Sequence, residues 1–147
     1  MSEQPFKLQA EWTGGLDGNG HIRSGNLDSA ISVPSQFDGP GIGTNPEELL
    51  LGAAATCYLI TLGMLLKRQG IASLQLHSEI YVESSPAMKV NRIIHRPQIS
   101  VNVHMPEEQL DKINKAVYRA EQACMISKAL KGNVDVSVEP VITTVPE

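Results

Sequence analysis

Cys57 and Cys124 are the residues of this 147-residue chain with the most chemistry to offer. A thiolate is a nucleophile, and a second thiol within reach turns its oxidised form into a disulfide. In a reducing compartment two cysteines separated by most of a domain are not a standing structural staple. On composition alone the plainer reading is a pair of small buried hydrophobes.

The other reactive types point to less. His21, His77, His95 and His104 lie apart on strand-like segments, without helical pairing at metal-ligand spacing, which suits surface or structural roles. Glu47 and Glu48 are acids of the kind that favour a helix N-terminus. The glycine-rich loop before them resembles a phosphate cradle only superficially. No Gly-Lys-Ser/Thr ending follows, and the two glutamates would repel an anion. The Gly14 to Gly20 segment runs into a strand pattern rather than a helix, so it lacks a dinucleotide-binding context.

The elements that must position the cysteines follow from the periodicity. Phe6, Leu8, Ala10 and Trp12 alternate with polar residues, a glycine-rich turn comes next, and Leu27, Ile31 and Val33 suggest a third strand, so the opening reads as a small antiparallel meander. Asn45, Pro46 and Glu48 form a helix-start signal: a cap, a first-turn proline and a capping-box acid. The helix is expected to run from Pro46 to about Arg68 and to end at Gly70, with Cys57 near its middle. Leu74 to Val82 and Ile99 to Val103 read as two strands of a hairpin. Pro106 opens a second helix, whose apolar positions Leu110, Ile113, Val117, Ala120 and Cys124 place Cys124 on the buried face. A turn around Ser127 to Leu130 leads to a last strand, Val134 to Val138, limited by Pro140. Strands, helix, strands, helix and strand make an α+β class with mostly antiparallel pairing.

Whole-chain properties narrow the partners. The length suits one domain, residues 1–147. A net charge of −4 without a basic cluster argues against nucleic acid. The start carries no apolar run of secretory length, so a cytoplasmic location is expected. Leu49 to Leu66 holds no charge and approaches the roughly 18–20 residues of a membrane span. Its glycines, alanines and threonines make it weakly hydrophobic, and a helix apolar on all faces is what the centre of a soluble core demands, so no membrane is expected. One short chain does not readily cover such a helix, which makes a partner subunit a natural inference.

The segment Gly43-Thr44-Asn45-Pro46-Glu47-Glu48-Leu49-Leu50-Leu51-Gly52-Ala53-Ala54-Ala55-Thr56-Cys57 resembles the signature of the OsmC/Ohr family of osmotically inducible and organic hydroperoxide resistance proteins. Ala123 to Val134 is similar to that family's second motif, with Met125 where a proline usually follows the cysteine. Trp12-Thr13-Gly14-Gly15 and the final strand also fit, so the resemblance spans essentially the whole chain. It implies an OsmC-like fold in an intertwined homodimer, with sheets from both chains wrapped around central helices. It further implies a thiol peroxidase that reduces organic hydroperoxides in oxidative-stress defence. Cys57 takes the peroxidatic role, Cys124 the resolving role through a Cys57–Cys124 disulfide, and Glu47 the role of an active-site carboxylate. No bound cofactor or metal is implied, only an external dithiol reductant, for which the family precedent is a dihydrolipoyl group.

The family also places an arginine beside the reactive cysteine, at one of two positions that align here with Leu16 and Gln36. Neither is basic. Arg23, Arg92, Arg96 and Lys128 are the candidate replacements, Arg23 first because it lies on the strand pattern between those positions. The same departure motivates an alternative from another class: a small-molecule-binding or redox-sensing protein on this fold, with weak or no peroxidase activity.

Overall fold

The computed structural model describes residues 2–146 and divides into two compact units, Met1–Leu49 and Leu50–Glu147. In the first unit, β1 (Gln9–Thr13), β2 (Asn19–Ser24) and β3 (Leu27–Ile31) form the expected antiparallel meander in the order β1-β2-β3. The segment after β3 folds back on it, with Thr44 donating to the Ala30 carbonyl at 2.8 Å and Ser32 donating to the Thr44 carbonyl at 3.1 Å. Gly43 permits this return. Its φ is +68°, and a Cβ there would stand 2.1 Å from the Ala30 oxygen.

The helix-start signal forms as the sequence implies. Asn45 accepts a hydrogen bond from the Glu48 amide through its side chain, at 2.9 Å, and from the Leu49 amide through its carbonyl, at 3.0 Å. The Glu48 carboxylate accepts from the Thr44 hydroxyl at 2.9 Å, so the acid steadies the entering loop as well as the first turn. Helix α1 (Pro46–Lys67) ends one residue before the expected Arg68. Gly70, at φ +78°, turns the chain while the Ile71 amide donates to the Leu66 carbonyl.

In the second unit, β4 (Gln75–Glu83) pairs antiparallel with the long β5 (Lys89–Asn102), whose other edge carries two short strands. Strand β6 (Asp135–Val138) pairs parallel with Arg92 to His95, and β7 (Val141–Val145) pairs parallel with Gln98 to Asn102. Two features differ from the sequence reading. Strand β5 begins well before Ile99, because Ile93, Ile94 and His95 are buried in succession and a strand covered on both faces shows no alternation. Strand β7 continues the sheet beyond Pro140, the residue expected to end it. Pro97, which has no N–H to donate, sits where β5 has neither β6 nor β7 beside it, so its missing donor costs that edge nothing.

Helix α2 (Glu107–Ala123) and the short α3 (Met125–Leu130) connect β5 to β6. Tyr58, Leu62 and Leu66 from α1 form one core with Ile99 and Val101 from β5 and Ile113, Val117 and Ala120 from α2. Ala54, Ile93 and Val134 form a second, smaller one. A polar thread crosses the larger core. The Tyr58 hydroxyl donates to the Val117 carbonyl at 2.8 Å, its ring stacks on His95 at 4.7 Å between centroids, and His95 Nδ1 meets the Ser78 hydroxyl at 2.7 Å. Only one side of α1 is covered within the unit. Ala54, Tyr58, Leu62 and Leu66 are buried, whereas Ile60 and Met64 are 61 % and 62 % exposed. By length and composition alone α1 is also long and apolar enough to cross a membrane.

Candidate functional site

The fold brings Cys57 and Cys124 together within the second unit, each as a free thiol and close enough for the two to interact by hydrogen bonding. Cys57 occupies the border of the buried side of α1, one position before Tyr58, and is partly exposed. Cys124 is fully buried, but not as a helix-face residue. It is the junction itself, ending α2 and preceding α3 with an extended backbone, φ −68° and ψ 120°. The three-and-four spacing that ends at Ala120 stops one turn short of it. That break matters chemically, because it turns the first amides of α3 toward the sulfur of Cys57.

The two thiols are tuned in opposite directions. Burial pushes the Cys57 thiol up, but the Cys124 thiol, the backbone N–H groups of Ile126 and Met125 and the Thr61 hydroxyl outweigh it, so Cys57 ionises below the ordinary thiol range. Burial also pushes Cys124 up, and its neighbour Cys57 adds to the effect, while the amide and hydroxyl of Ser127 and the amide of Ile126 only partly offset them. The result is one partly exposed thiol inclined to ionise beside one buried thiol inclined to stay protonated.

The cation sought among the arginines is not among the groups that act on Cys57. Arg23 pairs with Asp28 at 3.0 Å, Arg92 lies over the Tyr81 ring at 4.1 Å, and Arg96 is shared between Glu79 and Glu139. Among the described residues, no cluster of three or more histidine, cysteine or acidic side chains could hold a metal. Glu47 stands in the first turn of α1 and belongs to the first unit; one of its oxygens is buried without a hydrogen-bond partner.

Thr61 and the α3 amides escaped the sequence reading. The signal for Thr61 was present, since a hydroxyl one helical turn after a cysteine faces the same side; its Oγ1 donates to the Cys57 carbonyl at 2.8 Å. Rotation of the same hydroxyl serves the thiolate. Thr61→Val is therefore expected to raise the apparent Cys57 pKa by several tenths of a unit to about one unit, the scale of one hydrogen bond. Arg23→Gln, Arg92→Gln and Arg96→Gln are expected to leave it unchanged. The pH profile of alkylation in the four variants checks both statements, and a rise in any arginine variant would return the tuning role to that side chain.

Comparison with known proteins gives the family. The family described as OsmC-like protein matches residues 39–139, which include both cysteines. The protein YmaD of Bacillus subtilis, itself uncharacterised, is 42 % identical over 142 residues and aligned over 95 % of each chain. The organic hydroperoxide resistance protein OhrB of the same organism is 32 % identical over 122 residues, covering 82 % of this chain and 88 % of its own. The OhrB crystal structure superposes with a TM-score of 0.65 at 27 % identity, over 92 % of this chain and 98 % of that one. The chain belongs to the OsmC-like protein family.

Proposed function

We propose that this protein is a cysteine-based peroxidase that reduces organic hydroperoxides. The observation that carries the reading is the juxtaposition of two free thiols, Cys57 partly exposed and Cys124 buried beside it. In this scheme the Cys57 thiolate attacks one peroxide oxygen, the O–O bond breaks, and the alkoxide leaves to be protonated from solvent. The sulfenic acid formed on Cys57 then condenses with the Cys124 thiol, releasing water and forming a disulfide before further oxidation intervenes. An external dithiol restores both thiols by exchange, dihydrolipoyl groups being one candidate class. Glu47 is assigned a supporting carboxylate role. The name of the similar OhrB protein supports the substrate class.

Leu16 and Gln36, neutral residues at the two positions where the family carries its arginine, favour a second reading, a binding or redox-sensing protein with little turnover. Stopped-flow oxidation of Cys57 by cumene hydroperoxide separates the two. The peroxidase reading expects a rate orders of magnitude above that of free cysteine, and a rate equal to it would leave the second reading standing.

We also place the protein in the cytoplasm as a homodimer. Support for the dimer comes from the uncovered apolar side of α1 and from Phe6, which is 86 % exposed on the approach to β1. Apolar surface left in water forgoes about 25 cal/mol per Å², a large loss for a domain of this size. Sedimentation at micromolar concentration is expected to give a single species of twice the chain mass, and a folded monomer would refute the assembly.

A further inference from the structure

Ser127 lies in the first turn of α3, three residues after Cys124. The Lys128 amide donates to the Cys124 carbonyl at 3.0 Å, which closes a helical turn and brings residues three apart onto one face. Only 4 % of Ser127 is exposed, and its Oγ makes no hydrogen bond of ordinary geometry, although a buried hydroxyl rarely lacks one. The group it faces is the sulfur of Cys124, whose ionisation its hydroxyl and its amide both ease. A thiol or a disulfide sulfur is a weak acceptor, whereas a thiolate accepts strongly. The Ser127 hydroxyl is therefore a donor held in reserve, and its bond reaches full strength only as charge collects on Cys124.

The two sulfurs also differ in access, since Cys57 is partly exposed and Cys124 fully buried. Thiol–disulfide exchange has a direction: the attacked sulfur keeps the newcomer, and the other leaves as an anion. We propose that an external dithiol attacks the Cys57–Cys124 disulfide at Cys57, and that Ser127 is the donor that receives Cys124 as the departing thiolate. The proposal rests on the disulfide reading given above. One thiol of the reductant loses its proton, and its thiolate bonds to the Cys57 sulfur. The Cys57–Cys124 bond breaks, its electron pair stays on Cys124, and Cys124 then takes up a proton. The second thiolate of the reductant attacks the reductant sulfur of the mixed disulfide and frees Cys57. The dithiol ends as a disulfide, and its two electrons and two protons pass to the two protein thiols. Attack at Cys57 uses the exposure that the peroxide reaction already requires. Burial alone would make Cys124 a poor leaving group, because it disfavours the thiolate, and the Ser127 hydroxyl offsets that cost at the step where it is felt.

The test uses full-length protein converted to the disulfide with diamide. Peptide mapping before any reductant is added is expected to show Cys57 linked to Cys124, and a missing link would overturn the pair and this proposal with it. Dithiothreitol is then expected to reduce Ser127→Ala about tenfold more slowly than the parent, the scale of one hydrogen bond to a charged group. Equal rates would overturn the role of Ser127 while leaving the pair intact. With mercaptoethanol, acid quenching and alkylation are expected to trap the mixed disulfide on Cys57 and the alkyl group on Cys124; the reverse pattern would overturn the direction of attack. Packing is separated from hydrogen bonding in the Cys57→Ser background, where Cys124 is the only cysteine. There Ser127→Ala is expected to raise the apparent pKa of Cys124 alkylation by several tenths of a unit to about one unit, and an unchanged pH profile would show that the hydroxyl does not act on the sulfur.

Discussion

Cys57→Ser is expected to reduce cumene hydroperoxide no faster than buffer does, whereas Cys124→Ser retains the first oxidation and loses the protection that follows it. Removing Cys124 takes away one of the hydrogen bonds that favour the Cys57 thiolate, worth about 1 kcal/mol, so that first step slows about fivefold. The larger effect comes afterwards. Without a neighbouring thiol the sulfenic acid on Cys57 waits for a second peroxide and climbs to sulfinic and sulfonic acids, which ordinary thiols do not reduce. Intact mass after excess hydroperoxide therefore separates the proteins: loss of two hydrogens in the parent, gain of two and three oxygens in Cys124→Ser, and no change at this position in Cys57→Ser. Turnover that survives Cys57→Ser would refute the assigned nucleophile, and a parent that gains oxygens as readily as Cys124→Ser would refute the resolving role.

A second large effect concerns stability in acid. His95 is buried in the core between Tyr58 and Ser78, its Nε2 without a partner, and burial lowers its pKa from 6.5 to about 4. The unfolded chain takes up a proton as pH falls through 6.5, while the folded chain declines it until about pH 4. Stability is therefore lost progressively as pH falls across that window, on the order of 3 kcal/mol in all. His95→Phe keeps a flat ring against Tyr58 and removes the titration. It leaves the Ser78 hydroxyl unpartnered, a cost of about 1–2 kcal/mol that does not depend on pH. Urea melts are thus expected to show the variant as the weaker protein at pH 7 and the stronger near pH 4.5. A difference between the two proteins that stays constant across this range would show that His95 does not carry the acid sensitivity.

Much of the fold was legible where local chemistry decides the backbone. Asn45, Pro46 and Glu48 mark the start of α1 because a cap, a proline and an acid each satisfy a need of the first turn. The meander followed from alternation, and the residues of the cysteine pair were legible from the resemblance. What could not be read was set by contacts distant in sequence. The extent of β5 is hidden because Ile93, Ile94 and His95 are covered on both faces, and β7 is hidden behind a proline that tolerates a change of strand partner. Cys124 continues the helical spacing in the sequence, yet the helix ends before it, and with that break come the amides of Met125 and Ile126 at Cys57. The resemblance names the thiol. It does not reveal the helix break at Cys124 that turns the Met125 and Ile126 amides toward it.

The parallel pairing of β6 with β5 also makes the cysteine pair depend on a long-range closure. Parallel neighbours cannot be joined by a tight turn, so everything from Val103 to Val134, including α2, Cys124 and α3, is a single crossover. Its near part is held by Ile113, Val117 and Ala120 against α1 and β5, and its far end by β6 on Arg92 to His95, so the junction at Cys124 is tethered from both sides by contacts distant in sequence.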